Sequence, residues 1–241
     1  MQLFGKTDIG RVRVSNQDAY AISQLSEDTW LAIVCDGMGG ANAGNVASAA
    51  ATQEIMEYVN RSFRYGLTAE DHISLLQNAI RSANISVYDL AVKNPEYKGM
   101  GTTVVAVIVS PESFVVAHVG DSRAYLFGTK IKQLTRDHSV VQNLIESGQL
   151  TQEEARSHPR KNVITRALGI SEDVYADCDV FDFEEDNTVL LCTDGLTNFV
   201  EPDDMEKIVQ NTPIEQLAET LVARANYNGG GDNVTAVVIK H

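Results

Sequence analysis

The 241-residue sequence predicts an α+β protein in which antiparallel sheets are covered by pairs of helices. Three observations lead there. Short apolar runs rich in β-branched residues recur along the chain, as strands require. Blocks with helix-spaced apolar positions fall between and after them. The strand runs are apolar at consecutive rather than alternate positions, so both of their faces are buried. That places sheet against sheet as well as helix against sheet.

In chain order, residues 30–35 (Trp-Leu-Ala-Ile-Val-Cys) read as the first strand. The alanine-rich stretch 45–63 and the stretch 69–92 read as helices, the latter from Ile73, Leu76, Ile80, Ala83 and Val87 at helical period. Strands follow at 102–109, 114–119 and 124–127. Helices are expected at 139–148 and 151–157, where Thr151 and Glu154 have capping-box spacing. Residues 174–183 alternate apolar and polar, the pattern of a half-exposed strand. After a strand at 189–192 come helices at 201–211 and 214–227, the former with Pro202 in its first turn, and a closing strand at 234–239. No linker, repeat or charge block divides the chain, which reads as one domain, 1–241.

Composition narrows the function. A content of 44% hydrophobic and 22% charged residues is that of a globular protein, not a disordered one. No apolar run reaches the roughly 20 residues needed to span a bilayer, and no secretory signal opens the chain, so a cytoplasmic protein without a membrane partner is expected. The formal net charge of −14 argues against general nucleic-acid binding, because it repels phosphates. Cys35, Cys178 and Cys192 lack metal-site spacing and read as free thiols in a reducing compartment.

The informative feature is the placement of four aspartates. Asp36 ends the first strand and is followed by Gly-Met-Gly-Gly; Asp194 follows the 189–192 run and precedes Gly195. Asp121 lies between two strands, and Asp232 immediately precedes the last one. A single Asp-Gly pair is ordinary turn chemistry. Four carboxylates at the ends of buried strands, each costly to desolvate alone, are better explained by a shared cation. An all-oxygen donor set favours Mg²⁺, Mn²⁺ or Ca²⁺ over zinc, and no run matches the calcium-binding EF-hand loop. Two such cations about 3.5–4 Å apart would clamp a phosphoryl group and activate a water. His118 reads as a packed core residue, and His138 and His158 as loop or capping residues. The glycine-rich segments 37–40 and 229–231 match neither a Walker loop nor a dinucleotide fingerprint.

The segments Thr7-Asp8-Ile9-Gly10, Arg13-Val14-Ser15-Asn16-Gln17-Asp18, Val34-Cys35-Asp36-Gly37-Met38-Gly39-Gly40, Gly101-Thr102-Thr103, Val119-Gly120-Asp121-Ser122-Arg123, Thr193-Asp194-Gly195-Leu196 and Gly231-Asp232-Asn233-Val234-Thr235 stand in one order from residue 7 to 235. In that order the chain resembles the metal-dependent serine/threonine protein phosphatases of type 2C, the PPM family, in their compact bacterial form. The resemblance implies a four-layer αββα fold, a central antiparallel β-sandwich flanked by helix pairs. It implies two catalytic Mn²⁺ or Mg²⁺ ions and a weaker third. By position, Asp36 bridges the two catalytic ions with the Gly37 carbonyl on one of them, and Asp194 and Asp232 hold the other. Asp121 shares the third ion with Asp194, and Asp18 acts through water. Arg13 grips the substrate phosphate, Asn233 steadies Asp232 or a metal-bound water, and residues 137–160 form a flap. A metal-bridging hydroxide then attacks phosphoserine or phosphothreonine in a protein, with no phosphoenzyme intermediate. The implied partners are phosphorylated proteins made by eukaryotic-like Ser/Thr kinases, acted on by a monomer. Met38, Ala41, Asn45 and Gln17 stand where relatives often carry His, His, Glu and Glu. The alternative is a weak or inactive family member that binds metal and serves as a phosphoprotein-binding module.

Overall fold

The computed structural model describes residues 1–241, the side chains of Ala41 and Asn42 excepted. The chain runs β1 (Gln2–Asp8), β2 (Asp18–Gln24), β3 (Trp30–Met38), α1 (Gly40–Ser62), α2 (Ala69–Lys93), β4 (Gly101–Thr102), β5 (Val104–Val109), β6 (Ser113–Val119), β7 (Arg123–Phe127) and β8 (Ile131–Gln133). It continues through α3 (Val140–Glu146), α4 (Gln152–Ser157), β9 (Asp177–Asp182), β10 (Thr188–Cys192), α5 (Asp194–Thr197), α6 (Pro202–Asn211), α7 (Ile214–Tyr227) and β11 (Val234–Lys240).

Two antiparallel sheets form, one of five strands ordered β1-β11-β10-β7-β8 and one of six ordered β2-β3-β5-β6-β9, with β4 pairing β3 off that path. The continuous apolar runs now have a physical account. In β3, Leu31 and Ile33 face α1 and α2, packing with Ile55, Leu76 and Ile80. The intervening Ala32 and Val34 face the other sheet, meeting Val107, Leu191 and Val237. On the far side, Leu190 and Val238 pack under Met205, Leu217 and Leu221 of α6 and α7. Helix pair, sheet, sheet and helix pair are therefore stacked as four layers, the αββα sandwich, each sheet burying apolar area on both faces.

Local expectations hold with specific shifts. Thr151 and Glu154 make the capping box of α4, and α7 spans 214–227. The helix expected from residue 45 begins at Gly40, and the strand expected to end at Asp36 continues to Met38. Glycines at 37, 39, 40 and 44 hide both boundaries from an apolar pattern. The half-exposed strand is shorter than 174–183, at Asp177–Asp182. Strands β1, β2 and β8 carry too few fully buried residues to announce themselves. The thiols of Cys35 and Cys192 are buried and that of Cys178 half-buried, all free.

Candidate metal centre

One end of the sandwich gathers the carboxylates, and each sheet contributes. Asp18 opens β2 directly opposite Asp36 near the end of β3, both in the six-stranded sheet. Asp194 follows β10 and Asp232 precedes β11, adjacent strands of the five-stranded sheet. Asp121 sits in the turn where the chain leaves β6 of one sheet and enters β7 of the other. The result is an open cleft of about 460 Å³ whose lining includes Arg13, Asp36, Gly37, Asp121, Asp194 and Asp232. The four strand-end aspartates and Asp18 thus meet, although up to 214 residues separate them in sequence.

Neither Asp-Gly pair is a simple turn. Asp36-Gly37 lies inside β3, and Asp194-Gly195 forms the first turn of α5. At both positions only glycine fits. A Cβ on Gly37 would overlap the Gly44 carbonyl, and one on Gly195 would overlap the Asn233 carbonyl.

The surroundings steer each carboxylate. Thr193 and Thr235, from the opposite sheet, donate their hydroxyls to Asp18 Oδ2 at 2.9 and 2.7 Å. Asp18 Oδ1 is buried with no protein partner. Thr103 Oγ1 accepts the Asp36 N–H at 3.0 Å, and the Thr102 hydroxyl donates to the Asp36 carbonyl at 2.9 Å. Asn198 donates to Asp194 Oδ2 at 3.0 Å. Asn233, 5% exposed, accepts the Gln17 N–H at 2.8 Å and donates to the carbonyls of Ile9 and Ser15 at 2.9 and 3.0 Å. It thereby ties down the segment carrying Arg13, whose Nη2 donates to Asp232 Oδ2 at 2.7 Å.

The electrostatics are strongly one-sided: four lining carboxylates face one guanidinium. Burial, and then repulsion from Asp18, Asp194, Asp121 and Asp232, pushes Asp36 well above the usual carboxylate range. Burial raises Asp18 to about 7 against the pull of Thr235 and Thr193. Asp121 is likewise raised to about 7 by burial and by Asp194 and Asp137. Burial and Asp232 raise Asp194. The hydrogen bond to Asp232 raises Arg13. A cluster that suppresses its own ionisation in this way is matched by cations. The orphaned Asp18 Oδ1 and the all-oxygen donors fit a hard divalent ion and its waters.

Met38 lines the cleft, and Asn45 is exposed on α1. The Ala41 side chain lies outside the described residues. Gln17 Nε2 donates to the Gly40 carbonyl at 3.1 Å, a bond that a carboxylate could not make. His118 is buried, and His158 caps the end of α4. Thr103, Thr193 and Thr235 were named within the matching segments, yet nothing local assigned them a role. Their hydroxyls matter only because the sheets bring them to Asp36 and Asp18.

Comparison with known proteins places the chain in a family. Residues 10–226 match the family model "Protein phosphatase 2C". The chain is 38% identical over 237 residues to the serine/threonine phosphatase stp of Listeria monocytogenes, covering 98% of this chain and 94% of that one. The structure is similar to that of the serine/threonine phosphatase Stp1 from Staphylococcus aureus, with TM-score 0.94, 36% identity, and coverage of 100% and 94% of the two chains. It is also similar to the catalytic domain of the serine threonine protein phosphatase PstP in complex with two manganese ions, with TM-score 0.85, 30% identity and coverage of 98% and 96%. The chain belongs to the protein phosphatase 2C family.

Proposed function

We propose that the chain hydrolyses phosphoserine and phosphothreonine in proteins with Mn²⁺ or Mg²⁺, and that 1–241 works as one catalytic domain with 137–160 as its flap. The observation that carries this reading is the convergence of Asp36, Asp121, Asp194 and Asp232 on one cleft with the Arg13 guanidinium, Asp18 standing opposite Asp36 in the sheet. Without cations such a cleft repels a phosphate dianion. The similarity to a manganese-bound phosphatase supports the choice of ion.

Asp36 and the Gly37 carbonyl would hold one catalytic ion, and Asp36, Asp194 and Asp232 the other. Asp121 and Asp194 would hold a weaker third, with Asp18 acting through water. When bound, the ions would supply an activated water and charge neutralisation for the phosphoryl oxygens, so that attack on phosphorus would need no phosphoenzyme. Arg13 supplies a planar fork of donors for two phosphate oxygens. Its bond to Asp232 holds it beside the cluster, on a carboxylate that would also hold a cation. Asn233 keeps Arg13's segment against the cleft, and Thr193 and Thr235 keep Asp18 oriented. Met38 carries no proton, so the leaving serine or threonine oxygen is protonated from water. The substrates are phosphoproteins from serine/threonine kinases, and the enzyme acts as a monomer in the cytoplasm.

The test is hydrolysis of a phosphothreonine peptide with Mn²⁺ and with chelator, beside Asp36→Asn. Turnover that requires Mn²⁺ and collapses in the variant is the expected result. Metal binding with turnover no higher than the variant's would overturn the catalytic reading and favour a phosphoprotein-binding module.

A further inference from the structure

Beyond the carboxylate cleft, His118, His138 and Asp177 hold donor atoms within 4.8 Å of one another. Their protons argue against a metal there. The Gly120 N–H donates to His138 Nδ1 at 3.1 Å, so the imidazole proton sits on Nε2, pointing at Asp177 Oδ2 3.1 Å away. His118 Nε2 faces the Arg136 carbonyl at 2.9 Å and must donate to it. Both Nε2 atoms are therefore committed as donors. Burial, which lowers His138 from its ordinary value, keeps that ring neutral.

What the ring holds is more telling. The His138 N–H donates to the Gly120 carbonyl at 2.9 Å, so backbone and side chain together clasp both polar groups of Gly120. The neighbouring Asp137 receives Arg123 through Nε at 2.9 Å and Nη2 at 2.7 Å. Two consecutive residues thus grip the chain on either side of Asp121. The Gly120 backbone (φ +108) leaves no room for a Cβ against Thr103, the residue whose hydroxyl holds the Asp36 N–H. On its other side, the His138 carbonyl accepts the Thr165 N–H at 2.7 Å. Ser139 bridges to Ile164, and the Val140 N–H donates to the Val163 carbonyl at 2.9 Å. The 139–165 excursion is therefore closed at its root on His138, and returns Asn162 and Ile164 to the cleft wall. Arg166 completes the clasp through Asp177 Oδ1 at 2.7 Å.

We propose that His138 is a positioning residue that locks the Asp121 turn to both ends of the 139–165 excursion, so that the Asp121 carboxylate and that wall of the cleft are set together. The proposal rests on Asp121 being a cation ligand. It makes the weakest cation site, and not the two tighter ones, sensitive to the flap's root.

Two conservative variants of the full chain divide the bonds. In His138→Asn the amide oxygen stands where Nδ1 stood and can still accept the Gly120 N–H. In His138→Gln the longer amide can still donate to Asp177 but no longer reaches Gly120 as Nδ1 does. Mn²⁺ binding is read from the electron paramagnetic resonance of free Mn²⁺, and mobility from hydrogen exchange at Gly120 and across 139–165. His138→Gln is expected to weaken the weakest Mn²⁺ site about tenfold, the loss of roughly one good hydrogen bond, to leave the tighter sites within about twofold, and to speed exchange in both segments. His138→Asn is expected to restore most of both effects. Equal behaviour of the two variants, or loss at all cation sites together, overturns the proposal. Asp121→Asn separates the premise. If that variant binds Mn²⁺ as the parent does, the reading of Asp121 fails, and unchanged exchange in His138→Gln then overturns the positioning role by itself.

Discussion

Replacing Asn233 by alanine removes the three bonds that tie residues 9–17 to the start of β11, while the backbone bond from Asn233 N to Asp232 Oδ1 at 2.8 Å survives. The side chain is 5% exposed, so water does not freely replace it. At about 1 kcal/mol net for each bond, the loss is about 3 kcal/mol. For a chain of this size that lowers Tm by roughly 6–12 °C. The functional effect should pass through Arg13, whose segment is then held more loosely, by the Arg13–Asp232 pair and the bond from the Arg11 N–H to the Gly230 carbonyl. Arg13→Ala alone should raise KM for a phosphothreonine peptide by about tenfold or more, the worth of a charge-assisted bond. Asn233→Ala should raise KM by a smaller factor and leave kcat less changed. The assay is urea and thermal unfolding plus steady-state kinetics at saturating Mn²⁺ for both single variants and the double variant. Once Arg13 is gone, the KM effect of Asn233→Ala should vanish. A Tm shift below about 2 °C, or KM effects that multiply fully in the double variant, would show that Asn233 does not act through these bonds.

In chelator, Asp18 and Asp121, raised to about 7 when folded, hold protons that the unfolded chain gives up near 4, so stability falls as pH rises from about 4 through 7. Thermal melts in EDTA should therefore show a lower Tm at pH 8 than at pH 6, and saturating Mn²⁺, which needs ionised ligands, should flatten or reverse that slope; an EDTA series flat with pH refutes it. Replacing both Thr193 and Thr235 by valine strips the donors that hold the Asp18 carboxylate down, so the acid limb of the pH–rate profile should move to higher pH. Gly195→Ala drives a Cβ into the Asn233 carbonyl and should destabilise the protein by more than about 2 kcal/mol, with weakened Mn²⁺ binding measured by calorimetry.

Much of this molecule is legible locally. The central strands were readable because each has neighbours on both faces, which forces a continuous apolar run such as 104–109, buried throughout. The strands that escaped, β1, β2 and β8, are the outermost of their sheets, where half-burial leaves only a faint pattern. Strand β9 is also outermost and was readable, although its burial does not alternate strictly and Val180 is exposed.

The site divides along the same line. Which carboxylates stand at strand ends and which glycines follow them is written locally, because strand period and turn chemistry act over a few residues. The sequence also carried the family resemblance, since seven short segments in one order are a property of the string. Tertiary structure decided the rest. Antiparallel register sets Asp18 against Asp36, and the crossing from β6 to β7 brings Asp121 beside Asp194. The contact of the two sheets delivers two threonine hydroxyls to Asp18, and the root of the 139–165 excursion closes on Gly120 through His138. Each of these joins residues far apart in the chain, and no local periodicity encodes a hydrogen bond between them. Desolvation and mutual repulsion, which set the charge of the cluster and call for cations, exist only after the two sheets have met.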